Sequence, residues 1–428
     1  MKISAVFLLL LLRTFAPAQA PVRAELPHPT GTFGIARTVF HWTDTSRKEV
    51  ATSDGEDYRE LLVYLFYPVD RNSRGRRALY FPHLKETEAF EERFGKNYFR
   101  QGYGESYGLL STARTHTLEG AKSFARGARF PVVIFSHGGG VPVLFYTAII
   151  EDLVSHGYAV AAVEHSYDGA TIVFPDGHIV TQSGWDKDAE RAPEERTAFH
   201  TSRIKVGSED DSFVLSQLER LNRGELPKAS REFKGRFDMG RVGATGHSLG
   251  GKIAITDCRR DRRFKFCLNM DGGLDAGASY GPVARTVFGM YGYRKPVRKP
   301  GETEADFLKR KTSMEKFIGN LKAEYAGAPV ASRFVLIDSP GFSHFSYYDF
   351  PTAQTEVVPW RATPEQWSRN KQIIRAFTIA AFDAHLSLGQ PDPLNSLLAE
   401  RYPEVILDTL GVWKKVNSSW RLERAVDK

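Results

Sequence analysis

Gly246-His247-Ser248-Leu249-Gly250 sets a serine between glycines two residues before and two after it. This is the pattern of a nucleophile elbow, in which a serine on a sharp strand-to-helix turn needs minimal side chains on either side. An apolar strand pattern precedes it and a helix pattern follows, which is the context the motif requires. The amides at the start of that helix would face charge developing on a substrate. A serine hydroxyl is a weak nucleophile until a histidine takes its proton, and an acid must orient that histidine. His344, in Gly341-Phe342-Ser343-His344-Phe345, follows the serine in chain order and is the expected base. His385 falls inside a C-terminal helix pattern and His247 beside the serine, so both suit supporting roles. Asp271, Asp275 and Asp338 are the candidate acids. Asp271 directly follows a buried strand, whereas Asp338 lies six residues before His344.

A second cluster sits upstream. Ser136-His137-Gly138-Gly139-Gly140 follows an apolar strand and has the form of a His-Gly loop that lends a backbone N–H to an oxyanion hole. Gly139 N–H and Leu249 N–H are the expected donors, with His137 propping the loop.

These residues need a scaffold that delivers them to one edge. Residues 58–67, 130–135, 158–163, 242–245, 264–270, 285–291 and 333–337 read as strands, several of them continuously apolar as in a parallel sheet. Helical spacing runs over 145–156, 203–222, 303–325 and 366–388. The segment 80–127 reads as irregular with one short helix, and 70–77 as a polar turn. Strands alternating with helices predict an α/β fold with a mostly parallel sheet.

The first twenty residues read as a leader. Lys2 is followed by the apolar run Val6–Leu12 and by Ala18-Gln19-Ala20, an A-x-A cleavage pattern. That run is far shorter than the ~20 residues needed to span a bilayer, so no integral membrane span is expected after cleavage. Pro21 onward is expected to form one exported domain, secreted or periplasmic. Apolar content of 42% and charged content of 25% are ordinary globular values. The net charge of +7 is modest for 428 residues, and it includes Lys2 and Arg13 of the leader. The runs Arg259-Arg260-Asp261-Arg262-Arg263 and Lys309-Arg310-Lys311 read as solvated helix faces, with no nucleic-acid signature beside them. Cys258 and Cys267 are the only cysteines, and their pairing is open. No metal-ligand cluster or calcium loop stands out, so no cofactor is expected.

The stretches FPVVIFSHGGG, YTAIIEDLVSHGYAVAAVEHSYDGA, GHSLGG, NMDGG and GFSHFSYYDF together resemble the plasma-type platelet-activating-factor acetylhydrolases. LNSLLAERYPEVILDTLG is similar to that family's late helix. The resemblance runs with gaps from about residue 32 to 412. It implies an α/β-hydrolase fold, with Ser248 as nucleophile, Asp271 rather than Asp338 as acid, and His344 as base. Gly139 stands where the family pattern has a larger apolar residue, which bears on the acyl pocket and not on the amide. The insertion between Asp271 and His344 is longer than the family's. The implied activity is cofactor-free hydrolysis of short or oxidised sn-2 acyl esters of phospholipids. A general exported short-chain esterase or polyesterase is the rival reading. A non-catalytic binding protein on the same scaffold would lack a triad member, and here all three residue types are present. If hydrolysis occurs at a lipid surface, Leu144, Phe145, Tyr280, Tyr291, Tyr293, Arg294 and Lys295 are candidates to ring the mouth.

Overall fold

The computed structural model describes residues 26–93, 110, 113–120, 124–125, 129–226, 228–273, 283–293, 298, 301–325, 328, 332–350, 362–387, 400–409, 412–416 and 419–423. The expected leader, Asp275, Tyr280, Arg294 and Lys295 lie outside these residues.

The chain opens with a hairpin, β1 (Gly34–Lys48) and β2 (Tyr58–Val69), followed by β3 (Arg77–Leu79), α1 (Leu84–Arg93) and β4 (Arg114–Glu119). The alternating part begins at β5 (Phe130–Ser136). It continues through α2 (Thr147–Ser155), β6 (Ala159–His165), the short pair β7 (Ile172–Val173) and β8 (Ile179–Val180), α3 (Pro193–Arg223) and β9 (Phe237–His247). Then come α4 (Leu249–Arg260), β10 (Phe264–Met270), β11 (Thr286–Gly292), α5 (Glu304–Tyr325), β12 (Arg333–Ile337) and α6 (Pro364–Leu386). Strands β13 (Val405–Thr409), β14 (Val412–Val416) and β15 (Ser419–Glu423) close the described chain.

Eleven strands form one sheet in the order β13-β12-β11-β10-β9-β5-β6-β2-β1-β4-β3. From β12 to β6 every neighbouring pair is parallel. β5 and β6 are buried at every residue, which explains their unbroken apolar runs. Side chains alternate across the sheet into two cores. Ile134, Val132 and Val163 join α3 and α4 on one face, and Val133, Phe135 and Val160 join α2 and α6 on the other. This is the two-sided α/β arrangement expected from the sequence, with the α/β-hydrolase type of sheet.

Several elements differ from the sequence reading. β1 leaves little signal in the sequence because most of its exposed positions, Val39 apart, are polar and only part of it is buried. The segment 80–127 contains β3 and β4 as well as a helix. The stretch expected as a late helix places Val405–Thr409 in β13, antiparallel to β12, so Arg333–Ile337 is not the last strand. The β-branched and apolar VIL of that stretch is drawn onto the sheet edge. Leu144, Phe145 and Tyr291 are each about 1% exposed and belong to the cores, so they do not ring any mouth. Phe145 stacks at 6.1 Å on Tyr80, and Tyr293 is partly buried. Cys258 and Cys267 form a disulfide joining the end of α4 to β10.

Candidate active site

In an open α/β sheet the groups that meet ligands gather at the carboxyl ends of the parallel strands. Ser248 follows β9 there. Its backbone has φ 56° and ψ −114°, a conformation that costs on the order of 1–3 kcal/mol for a residue with a side chain. The glycines around it are required by close approach. A Cβ on Gly246 would meet Ser136 O at 2.4 Å, and one on Gly250 would meet the same oxygen at 2.0 Å. α4 begins at Leu249, so the Leu249 N–H has no intrahelical acceptor and faces the elbow.

Asp271 follows β10, again with positive φ (54°). Its N–H donates to Met290 O at 2.8 Å, and its Oδ1 accepts from Gly292 N–H at 3.3 Å. That double tie to β11 turns the other carboxylate oxygen toward His344, whose Nδ1 lies 2.8 Å from Asp271 Oδ2. Asp338 follows β12, where its N–H donates to Glu404 O at 2.8 Å. The structure therefore brings Asp271, not Asp338, against the histidine. His385 stacks on Phe266 at 4.5 Å, within the α6 packing.

The loop carrying His344 is tied down from several directions. Ser343 N–H donates to Ser346 Oγ at 2.9 Å, and Ser346 N–H donates to Ser343 O at 2.9 Å. The buried Lys371 on α6 donates to Ser346 O at 2.8 Å. Asp349 N–H donates to Phe145 O, and the Asp349 carboxylate accepts from Tyr80 OH and Ala148 N–H. Burial pushes Asp349 up to about 7 and Lys371 down to about 7.

The Ser136–Gly140 loop, the expected oxyanion loop, is held by polar contacts beneath it. The His137 Nδ1–H donates to Gly138 O at 2.7 Å, and Nε2 accepts from His165 N–H at 3.1 Å, a pattern only a neutral ring can satisfy. Burial lowers the His137 pKa to about 3, in keeping with that neutral prop. Gly138 N–H donates to Tyr146 OH at 3.1 Å, and that hydroxyl lies 2.9 Å from His247 Nδ1. His247 is fully buried, and burial followed by the nearby His344 holds its pKa well below the ordinary value. Its ring centroid is 4.4 Å from that of His344, so the Ser248 elbow, the Gly138 loop and the His344 loop share one support. Gly140 N–H donates to Asp168 O at 2.8 Å. Of the three loop glycines, Gly139 alone has no acceptor for its N–H among the described residues.

Asp168 and Trp185 were not singled out by the sequence. Asp168 sits in a buried ionic cluster with Arg203, which binds it through two nitrogens, and with Arg59, which also pairs with Asp210 at 2.6 Å. Trp185 Nε1–H donates to Asp168 Oδ1 at 3.1 Å. The only hint was an aromatic residue after Gly184 in a polar stretch. No group of metal-binding side chains occurs among the described residues, and no described helix is long and apolar enough to cross a membrane.

Known proteins share this architecture. The chain is 27% identical over 285 residues, 63% of either sequence, to an Arthroderma benhamiae protein named "Probable 1-alkyl-2-acetylglycerophosphocholine esterase". It is 28% identical over 216 residues to the platelet-activating factor acetylhydrolase of Cavia porcellus, covering 48% of this chain and 49% of that one. These matches span between about half and under two-thirds of the relatives' length. A Streptomyces cinnamoneus ferulic acid esterase superposes over 90% of this chain and 98% of its own, with TM-score 0.64 and 25% identity. The family model described as platelet-activating factor acetylhydrolase, isoform II, matches residues 26–274, more than half of the sequence, and the chain belongs to that family.

Proposed function

We propose that the protein is a serine esterase acting on short or oxidised sn-2 acyl esters of phospholipids. The observation that carries the reading is the His344–Asp271 hydrogen bond, formed across strand ends beside a serine in strained elbow geometry. In this mechanism His344 takes the Ser248 hydroxyl proton as Oγ attacks the ester carbonyl. Asp271 keeps the imidazole in the tautomer with the proton on Nδ1 and stabilises the imidazolium that forms. The tetrahedral oxyanion lies between the N–H groups of Gly139 and Leu249, aided by the N-terminal end of α4. Collapse expels the alcohol, which takes the proton from His344 and leaves an acyl-Ser248 ester. Water, deprotonated by His344, then attacks that ester. A second collapse returns the proton to Ser248 Oγ and releases the carboxylic acid. No cofactor enters any of these steps.

Family membership and the names of the relatives support the phospholipid substrate. The ferulic acid esterase neighbour favours a second reading, a general esterase on simple esters with the same mechanism. Export is part of the proposal: the leader pattern and the Cys258–Cys267 disulfide both suit an oxidising compartment. Substrate would then be met at lipid surfaces by peripheral contact.

The test compares two phosphocholine lipids that differ only in the sn-2 group, acetyl against a long chain, with Ser248→Ala as control. Rapid acetyl release that vanishes in the variant supports both chemistry and substrate class. Ser248-dependent cleavage of simple esters alone would keep the mechanism and discard the phospholipid.

A further inference from the structure

The segment between β6 and α3 folds back over the oxyanion loop. Ser183 N–H donates to Tyr167 O at 2.9 Å, and Gly184, at φ 83°, turns the chain into a 3₁₀ turn starting at Trp185. The indole lies against the loop so closely that a Cβ on Gly139 would meet three of its ring carbons at 3.0–3.2 Å. Its other contacts fix it in place. It packs on the buried cluster of Ile204, Leu249 and Ile253, lies edge-on to Phe199 at 5.1 Å, and donates to Asp168. Arg191 clamps the segment, donating to Gly184 O at 2.7 Å while its guanidinium covers the Phe199 ring at 3.9 Å. Trp185 thus bears on the loop of one proposed oxyanion donor and on the apolar cluster of the other. It remains only partly buried.

Sheet order says which half of an ester would meet this ring. From β9, which carries Ser248, the strands on one side lead through β10 with Asp271 to β12 and the loop of His344. On the other side lie β5 with the Gly139 loop and β6 with Asp168. The leaving alcohol must receive its proton from His344, so it lies toward β10 and β12. The acyl chain is then directed toward β5 and β6, where the indole stands.

We infer that Trp185 is a specificity-determining residue, the wall that closes the acyl pocket and limits it to short acyl groups. The inference rests on the esterase reading above. A rigid, well-anchored aromatic wall leaves no room for added methylenes without displacing the ring, and interiors tolerate such overpacking poorly.

The test uses the full chain and p-nitrophenyl acetate, butyrate, octanoate and laurate, which share one leaving group, plus acetates of three different alcohols. Trp185→Ala should raise the octanoate-to-acetate ratio of kcat/KM by about 10-fold or more, within the 10–200-fold range typical of one apolar pocket contact. Trp185→Phe keeps most of the ring and should move the ratio less than about threefold. Trp185→Leu, read beside the melting temperature, replaces the alanine variant if that one does not fold. An unchanged acyl profile with Ser248-dependent activity intact would overturn the inference and leave the esterase reading standing. A shift in alcohol preference with the acyl profile unchanged would overturn it too. Loss of all Ser248-dependent hydrolysis in the wild-type protein would remove both.

Discussion

The Asp271 carboxylate reaches His344 from the end of a different strand, while Asp338, nearer in sequence, is held by its backbone beside β13. The two acids therefore make opposite predictions. Asp271→Asn preserves size but offers an amide where the imidazole needs an acceptor, and kcat should fall by roughly 10⁴-fold. Asp338→Asn should change kcat less than about threefold, since only an acceptor against Nδ1 can set the tautomer. Steady-state rates on p-nitrophenyl acetate check both. Gly250→Ala tests the elbow from another direction. A methyl group 2.0 Å from Ser136 O cannot be accommodated without moving β5 or α4, and soluble yield or Tm should drop even before activity is assayed. The elbow geometry at Ser248, the turn at Asp271, the His344 loop and the Gly139 loop were readable because each sits in a short motif whose residue types follow from local need. Trp185 and Asp168 were not. Trp185 meets Asp168 and Gly139 only because the chain after β6 folds back over the Gly139 loop, and nothing local in Gly184-Trp185 announces that.

At the scale of elements, β5 and β6 were legible because burial at every residue leaves a largely apolar run, whereas of the longer β9 (Phe237–His247) only residues 242–245 were legible, since its first half is partly exposed and carries Asp238 and Arg241. β1 has one face open for much of its length and carries Asp44, Ser46, Arg47 and Lys48 near its end, so its pairing with β2 comes from long-range register rather than composition. β13 shows the same limit: an apolar triplet near a helix pattern is resolved only by an available sheet edge. The disulfide belongs to this scale. It ties the end of α4, which begins at Leu249, to β10, which leads directly into Asp271. Replacing both cysteines with serine removes a cross-link between residues nine apart in sequence, worth about 2–3 kcal/mol on the chain-entropy account. Urea unfolding should show the midpoint falling accordingly, and the same loss on reducing the wild-type protein. A midpoint that ignores both treatments would mean the cross-link adds nothing to α4 and β10 beyond their packing.

For the molecule as a whole, the telling feature is that its site is floored by buried ionisable groups, so its stability must depend on pH. Ser136, at the root of the proposed oxyanion loop, donates through its hydroxyl to Asp211 on α3 at 2.8 Å. Asp211 faces Asp257 on α4, with Ser208 and Asp261 also near Asp257. His165 Nε2 lies 3.7 Å from Asp211, and Asp210 is paired with Arg59 and His165. Asp210 is held far below the carboxylate range, its buried charge offset by Arg59 and His165. Asp257 is the opposite case: burial first, and then the Asp211 charge, push it well above that range. A carboxyl raised in the folded state binds a proton that the unfolded chain has released. Its stabilisation is whole below the unfolded value near 4 and is lost as pH rises toward the folded value. Over that window each such proton is worth about 1.4 kcal/mol per pH unit. Asp257→Asn replaces the protonated acid by a neutral group of the same shape. Its Tm relative to wild type should therefore climb as pH rises from 5 to 9, since only the wild type must surrender the proton or bury a second charge. A Tm difference constant across that range would mean that Asp257 is ionised beside Asp211 in the native state. Two buried carboxylates would then share one pocket beside Ser136 and His165.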